Sequence, residues 1–345
     1  MGLEFIHAYG GRRFTTYPPQ PLMWGDETNA EDETPKVNIE YELPGDDWKP
    51  VTVRVPERWK PQDWPDRPVR FIDGKDQGDT ITALTSADGY PVAVRLSEIG
   101  AVVVRVDHGE CRREHAVTEK VVSMVADVFP WEEVEGFASA LQHAGMRLLT
   151  ARTLDGQPSY QFETMRRAAE HRSRDEMFEL ETSVLTLGRD PSIVDGPLES
   201  RLGGPEAADW PVFGVIKSHR QVYLHELGMQ VLYRIKPGQR TPAFSLPNEK
   251  LPVVSWYVRL AGGPGTMPDW GLVRVEAPLR WFERAGNWDV IDLLSRTLYD
   301  YRCRDGGYRR APVSLHPIVR AEELLGVLCT PAKLLASRFY HLTGL

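Results

Sequence analysis

The sequence predicts an α/β protein, a mixed sheet flanked by helices, with an irregular, β-rich region at its N-terminus. Three observations carry this. Strand-like runs follow one another from Pro68 to Asp107, and Phe162 to Leu187 contains neither Gly nor Pro. Beyond that stretch, strands and helices alternate. Strands in series, then helices, then mixed elements suit a sheet with helices packed on it. A chain of 345 residues, 41% hydrophobic, is long enough to bury a large core in one large domain or two modest ones.

Residues 1–67 form the first region. From residue 18 it is rich in Pro, Trp and acid and poor in helical period, with VNIEYEL and VTVRV as its short strands. Residues 68–345 form the main domain. VRFIDG is a short apolar strand ending at Asp73-Gly74. ITALTSADGYPVAVRL reads as strand, tight turn at Ala87-Asp88-Gly89, and strand, and AVVVRVD (Ala101 to Asp107) as a third strand. Helices are expected over Thr118–Asp127, Glu132–Leu149 and Phe162–Leu187. Then come a buried strand around Ser192–Val194 delivering Asp195, the strand FGVIKS and a helix from Leu224. The strands VVSWYVRL and LVRVEAP follow, then helices over Trp288–Tyr301 and from Pro317 to about Leu328. GGPGT (Gly262 to Thr266) lacks the GK[ST] of a phosphate-binding loop and reads as a turn.

No apolar run approaches the roughly 18 residues of a membrane helix. The N-terminus has no basic-then-apolar order of a secretory signal, and the three cysteines stand apart with no CxxC pair. These features suit a reducing cytoplasm and suggest neither a disulfide scaffold nor a cysteine zinc site. A formal net charge of −8 argues against indiscriminate nucleic-acid binding over the whole surface. Acid gathers between Asp26 and Asp47. Base gathers in MRRAAEHRSR, with Arg166 and Arg167, and in YRCRDGGYRR. Each run reads either as a solvated face or as a patch for a polyanion.

The chemistry lies in the carboxylates. FIDG and IVDG each place an Asp (Asp73, Asp195) at the end of an apolar strand, on a rigid frame and before a Gly that allows close approach. Strand-Asp-Gly is also a common way to leave a strand, so the pair matters more than either member. On the long helix, Met177, Leu180, Val184 and Leu187 form one apolar stripe, and Glu181 falls inside it; Glu179 projects to the opposite face and Glu176 to the flank. On the last predicted helix, Ile318, Ala321 and Leu325 share a face with Glu322 but not with Glu323. His316, just before Pro317, suits a capping or a catalytic role. Inward carboxylates are costly to ionise without a cation or hydrogen bonds. Asp73, Glu181, Asp195 and Glu322 together suit Mn²⁺ or Mg²⁺, two such ions serving phosphodiester hydrolysis. Lys217, at the polar end of GVIKS, is either a surface lysine or positive charge beside the scissile phosphate.

These segments, in this order, resemble the NurA nuclease family. FIDG, MFELETSVL, IVDGPL, GVIKS, WYVRL, VRVEAP and LHPIVRAEELLGV carry the likeness, from roughly Pro68 to Leu328. The resemblance implies an RNase H-like fold, a Mn²⁺-dependent site, a homodimer, and work on DNA ends beside the hexameric ATPase HerA. It also implies metal roles for Asp73, Asp195 and a glutamate of the long helix, either Glu181 or Glu179, and a DNA contact for Tyr257. His316, Arg166 and Arg167 are the further candidates for DNA. The family's last motif runs from a Pro to Ala-His; here Pro317 to Ala321 is followed by Glu322. Glu322 then either replaces the His as ligand or marks altered or lost activity. The expected function is a Mn²⁺- or Mg²⁺-dependent DNA exo/endonuclease. The alternative is a catalytically weak or inactive subunit that binds DNA ends or the translocase.

Overall fold

The computed structural model describes residues 2–14, 42–55, 60, 63–153, 156–202, 208–217, 223–247, 250–263, 265–285, 288–308 and 310–345. After a short strand β1 (Val51–Thr52), three long strands build an antiparallel meander: β2 (Arg70–Thr85), β3 (Pro91–Asp107) and β4 (Glu110–Val125). The turn expected at Ala87-Asp88-Gly89 joins the first two. The two strands expected between Pro91 and Asp107 are one continuous strand, because both neighbours pair along nearly its whole length.

The helix expected over Thr118–Asp127 is instead the second half of β4. His108 (φ 48°) and Gly109 (φ 84°) make a two-residue turn with positive φ at both positions, which matches strand twist and sends the chain back along β3. Backbone pairing then overrides local propensity. The helix expected to reach Leu149 stops early. α2 (Trp131–His143) ends before Gly145, and β5 (Arg147–Ala151) pairs parallel with the end of β4.

α3 (Phe162–Thr186) follows the break-free stretch. Its last turn is held by the buried Arg70, which donates to the carbonyls of Val184, Leu185 and Gly188 at 2.9–3.1 Å, a cation where the helix dipole is negative. The chain continues through β6 (Ser192–Asp195), β7 (Val212–Ile216), α4 (Glu226–Arg234), β8 (Gln239–Arg240), β9 (Phe244–Leu246), β10 (Val253–Arg259) and β11 (Leu272–Pro278). α5 (Leu279–Ala285), α6 (Asp289–Tyr301), α7 (His316–Leu328) and α8 (Ala332–Thr343) complete it.

The described strands form one mixed sheet in the order β1-β8-β10-β11-β7-β6-β2-β3-β4-β5, with β9 also on β10. β6 lies parallel to β2, and β7 parallel to β6. An antiparallel meander extended beside its first strand by two parallel ones is the RNase H-like arrangement.

Side-chain alternation assigns the two faces. Ile72, Ile99, Ala101 and Val103 pack on Met177, Leu180 and Val184 of α3. The intervening Val102 and Val104 pack on Ala321 and Leu325 of α7. The far half of the meander has its own core, where Ile81, Leu84, Val92 and Val94 meet α2, α8 and the N-terminal helix α1 (Phe5–Ala8). There Phe5 stacks on Phe137 at 4.9 Å.

Within the N-terminal region, VTVRV contributes β1. Five residues of VNIEYEL (37–41) and most of the acidic run lie outside the described residues. Glu42 and Asp292 both pair with the buried Arg240 at 2.6 Å. Among the described residues no helix is long and apolar enough to cross a membrane.

Candidate metal centre

Sheet register brings the two strand aspartates together. Ile72 lies beside Val194 on parallel strands, so the next residues along, Asp73 and Asp195, end side by side where β6 stops. Ile72 and Val194 face α3, so Asp73 and Asp195 face the other way, toward α7. Val215 pairs with Asp195, and Lys217, two residues on, points to that same side. Its Nζ lies 2.7 Å from Asp195 Oδ2.

α7 closes the set. Glu322 sits one helical position from Ala321, which anchors that helix on β3. Its carboxylate accepts from the Tyr308 hydroxyl, and Lys217 and Arg310 approach within 3.8 and 3.9 Å. Asp73, Asp195 and Glu322 each offer a carboxylate oxygen, all within 4.8 Å of one another. Asp73 is the decisive member. It is only 6% exposed, and among the described residues its carboxylate has no hydrogen-bond donor and no ion-pair partner. Burial, then the neighbouring Asp195 charge, hold its carboxyl well above the usual carboxylate range. A carboxylate buried without a partner beside two others is relieved by further positive charge, beyond what Lys217 supplies. Its all-oxygen donor set fits a hard divalent cation. The three open into a cleft of about 580 Å³, lined also by Lys75, Glu181, Arg201 and Arg310.

Glu181 reaches this cleft from α3, on the opposite face of the sheet. It occupies the space beside Gly74, where an added Cβ would meet Glu181 Oε1 at 2.6 Å. Its charge is matched. Arg201 Nε lies 2.6 Å from Glu181 Oε2, with both side chains buried. Arg201 also donates to the carbonyls of Asp195 (2.7 Å) and Pro197 (3.1 Å), and its guanidinium lies over the Phe178 ring. Gly196, at φ 119°, leaves room for that guanidinium. Burial raises the Glu181 carboxyl, and Arg201 opposes the shift.

The remaining expected residues fall as follows. Glu179 is exposed, as its helical face required. Glu176, assigned to the flank, is buried and paired with Arg172 and Arg147, because the long helix lies against β5 as well as the meander. Tyr257, expected on DNA, is fully buried against Phe244 and α4. Burial pushes its phenol up to about 12, and its ring offers no face to a strand in solvent. Arg166 and Arg167 pair with Glu163 and Glu170 on the first turns of α3. That is fifteen residues, roughly 22 Å, from Glu181. His316 is exposed at the start of α7 and does not line the cleft.

Sequence reading missed Arg201, Tyr308 and Lys75. Two of the three had signals: Arg201 follows IVDGPL by three residues, and Tyr308 and Arg310 belong to the basic run YRCRDGGYRR. Arg309 of that run and Ser218 of GVIKS lie outside the described residues.

Fold and site define a class, an α/β protein with a carboxylate cluster where its parallel strands end. No family model matches the chain, and no curated protein does. Among solved structures it is similar to the NurA nuclease from Sulfolobus solfataricus, 12% identical, covering 81% of this chain and 86% of that one, with a TM-score of 0.41. At that score the likeness identifies neither family nor activity.

Proposed function

We propose that the chain is a divalent-metal-dependent DNA nuclease, with Asp73, Asp195 and Glu322 holding Mn²⁺ or Mg²⁺. The observation that carries the reading is Asp73, buried, unpaired and within 4.8 Å of two further carboxylates. When bound, the cation supplies charge neutralisation for a phosphodiester and orients the attacking water. The chain's own groups do the rest. Lys217 stands ready to donate to a non-bridging phosphate oxygen, and the paired strands β2 and β6 keep the two aspartates aligned. Hydrolysis adds one water: its oxygen bonds to phosphorus, the bond to one sugar oxygen breaks, and a proton finishes on that oxygen.

DNA as substrate, a HerA-like hexameric ATPase as partner and a homodimer as the assembly are drawn from the resemblance of the motifs. Their order from FIDG to LHPIVRAEELLGV supports the reading. The test is cleavage of end-labelled single- and double-stranded DNA in Mn²⁺, Mg²⁺ or EDTA, with and without the ATPase. Cleavage that needs the metal and vanishes in both Asp73→Asn and Asp195→Asn is expected. Cleavage left intact by both substitutions defeats the mechanism, and a folded chain that never cuts DNA is the binding subunit instead.

A further inference from the structure

Five acidic side chains border the cleft, and the sequence alone counts four of them, all but Glu323, as ligands for two ions. The structure separates them. Asp73, Asp195 and Glu322 lie on the α7 side with oxygens within 4.8 Å of one another. Glu181 comes from the α3 side, through the gap that Gly74 leaves, and its Oε2 is held by Arg201 Nε at 2.6 Å. Arg201 is in turn held in place. It donates to the carbonyls of Asp195 and Pro197 and to Ser200 Oγ, and it lies over Phe178. A guanidinium fixed by that many contacts is not free to leave when a cation arrives, and Glu181 together with Arg201 is neutral as a unit.

We infer that Arg201 withholds Glu181 from the ligand set, so that the centre takes a single divalent ion on Asp73, Asp195 and Glu322. Three carboxylates are ample for one such ion, which is usually held by one or two together with water and phosphate oxygens. Arg201 is thus a positioning residue. It sets the number of ions, and it ties the turn after Asp195 to α3 through the Asp195 carbonyl.

This inference rests on the metal-centre reading above, and a Mn²⁺ titration of the full chain, followed by the electron paramagnetic resonance of free Mn²⁺, tests them separately. The wild type is expected to bind one Mn²⁺ per chain. Glu181→Gln/Arg201→Gln, which removes the neutral pair together, should also bind one, within about threefold in affinity. Arg201→Gln alone, which frees the Glu181 charge, should tighten Mn²⁺ at least threefold. Asp195→Asn should weaken it more than tenfold. Two ions of similar affinity in the wild type, or a double variant weakened more than tenfold, overturn the inference; so does an unchanged affinity in Arg201→Gln. A double variant that does not fold leaves the decision to the wild-type stoichiometry. A wild type that binds no Mn²⁺ takes down the metal centre and this inference together. One that binds a single ion and cuts no DNA sustains the inference and defeats only the nuclease.

Discussion

The two sides of the sheet at the end of β6 hold similar side chains in opposite electrical conditions. On the α3 side, Glu181 is buried and matched by a guanidinium at 2.6 Å. On the α7 side, Asp73 is nearly as buried, has no partner among the described residues, and faces Asp195 and Glu322. A fold gains nothing from burying an unmatched carboxylate. The matched Glu181 therefore reads as architecture and the unmatched Asp73 as function, at a cost in stability that functional sites commonly carry.

The largest expected effect falls on the α7 side. Asp73→Asn or Asp195→Asn should lower metal-dependent cleavage by about a thousandfold, ~4 kcal/mol in transition-state stabilisation, read from initial rates on labelled DNA. Asp73→Asn should also melt higher than the wild type in EDTA, because it removes a charge that burial and Asp195 disfavour. A lower melting temperature would show that Asp73 holds the fold and contradict the comparison.

On the α3 side the order reverses. Arg201→Met strands the Glu181 charge in a buried setting and should cost about 3–5 kcal/mol in urea unfolding. Replacing both partners with apolar residues should recover most of that loss. Gly74→Ala drives a methyl to 2.6 Å from Glu181 Oε1 and should cost about 1–3 kcal/mol. It should disturb the Glu181–Arg201 pair before it disturbs Mn²⁺ affinity.

The smallest effect belongs to the helix surface far from both sides. Arg166→Gln loses half-buried pairs with Glu163 and Glu170. It should change stability by about 0.5 kcal/mol and leave cleavage rates as they are. A severalfold loss of DNA affinity in Arg166→Gln would instead return that arginine to the DNA-binding surface.

Much of the frame was legible in local pattern. The break-free stretch became α3, the strand delivering Asp195 is present, and the helical face separated the buried Glu181 from the exposed Glu179. The strand expected to end at Asp73-Gly74 runs on to Thr85, because β3 pairs with it throughout. β4 was not legible. Thr118 to Val125 has no breaker and no clean alternation, and only the turn at His108-Gly109 and the pairing with β3 make it a strand. Tyr257 was misread for the same reason. A strand motif does not say which neighbours cover it, and β10 is buried along its whole length.

The sequence by itself separated the inward Glu181 from the outward Glu179, because side-chain direction follows the short periods of helix and strand. Tertiary structure decided how they are grouped. Strand order and register put Asp73 beside Asp195, α7 added Glu322, and the turn after β6 brought Arg201 to Glu181. The physical reason is one of range. Periodicity acts over a few residues, whereas the pairing of charges far apart in the chain depends on which strands lie side by side and which face each helix covers.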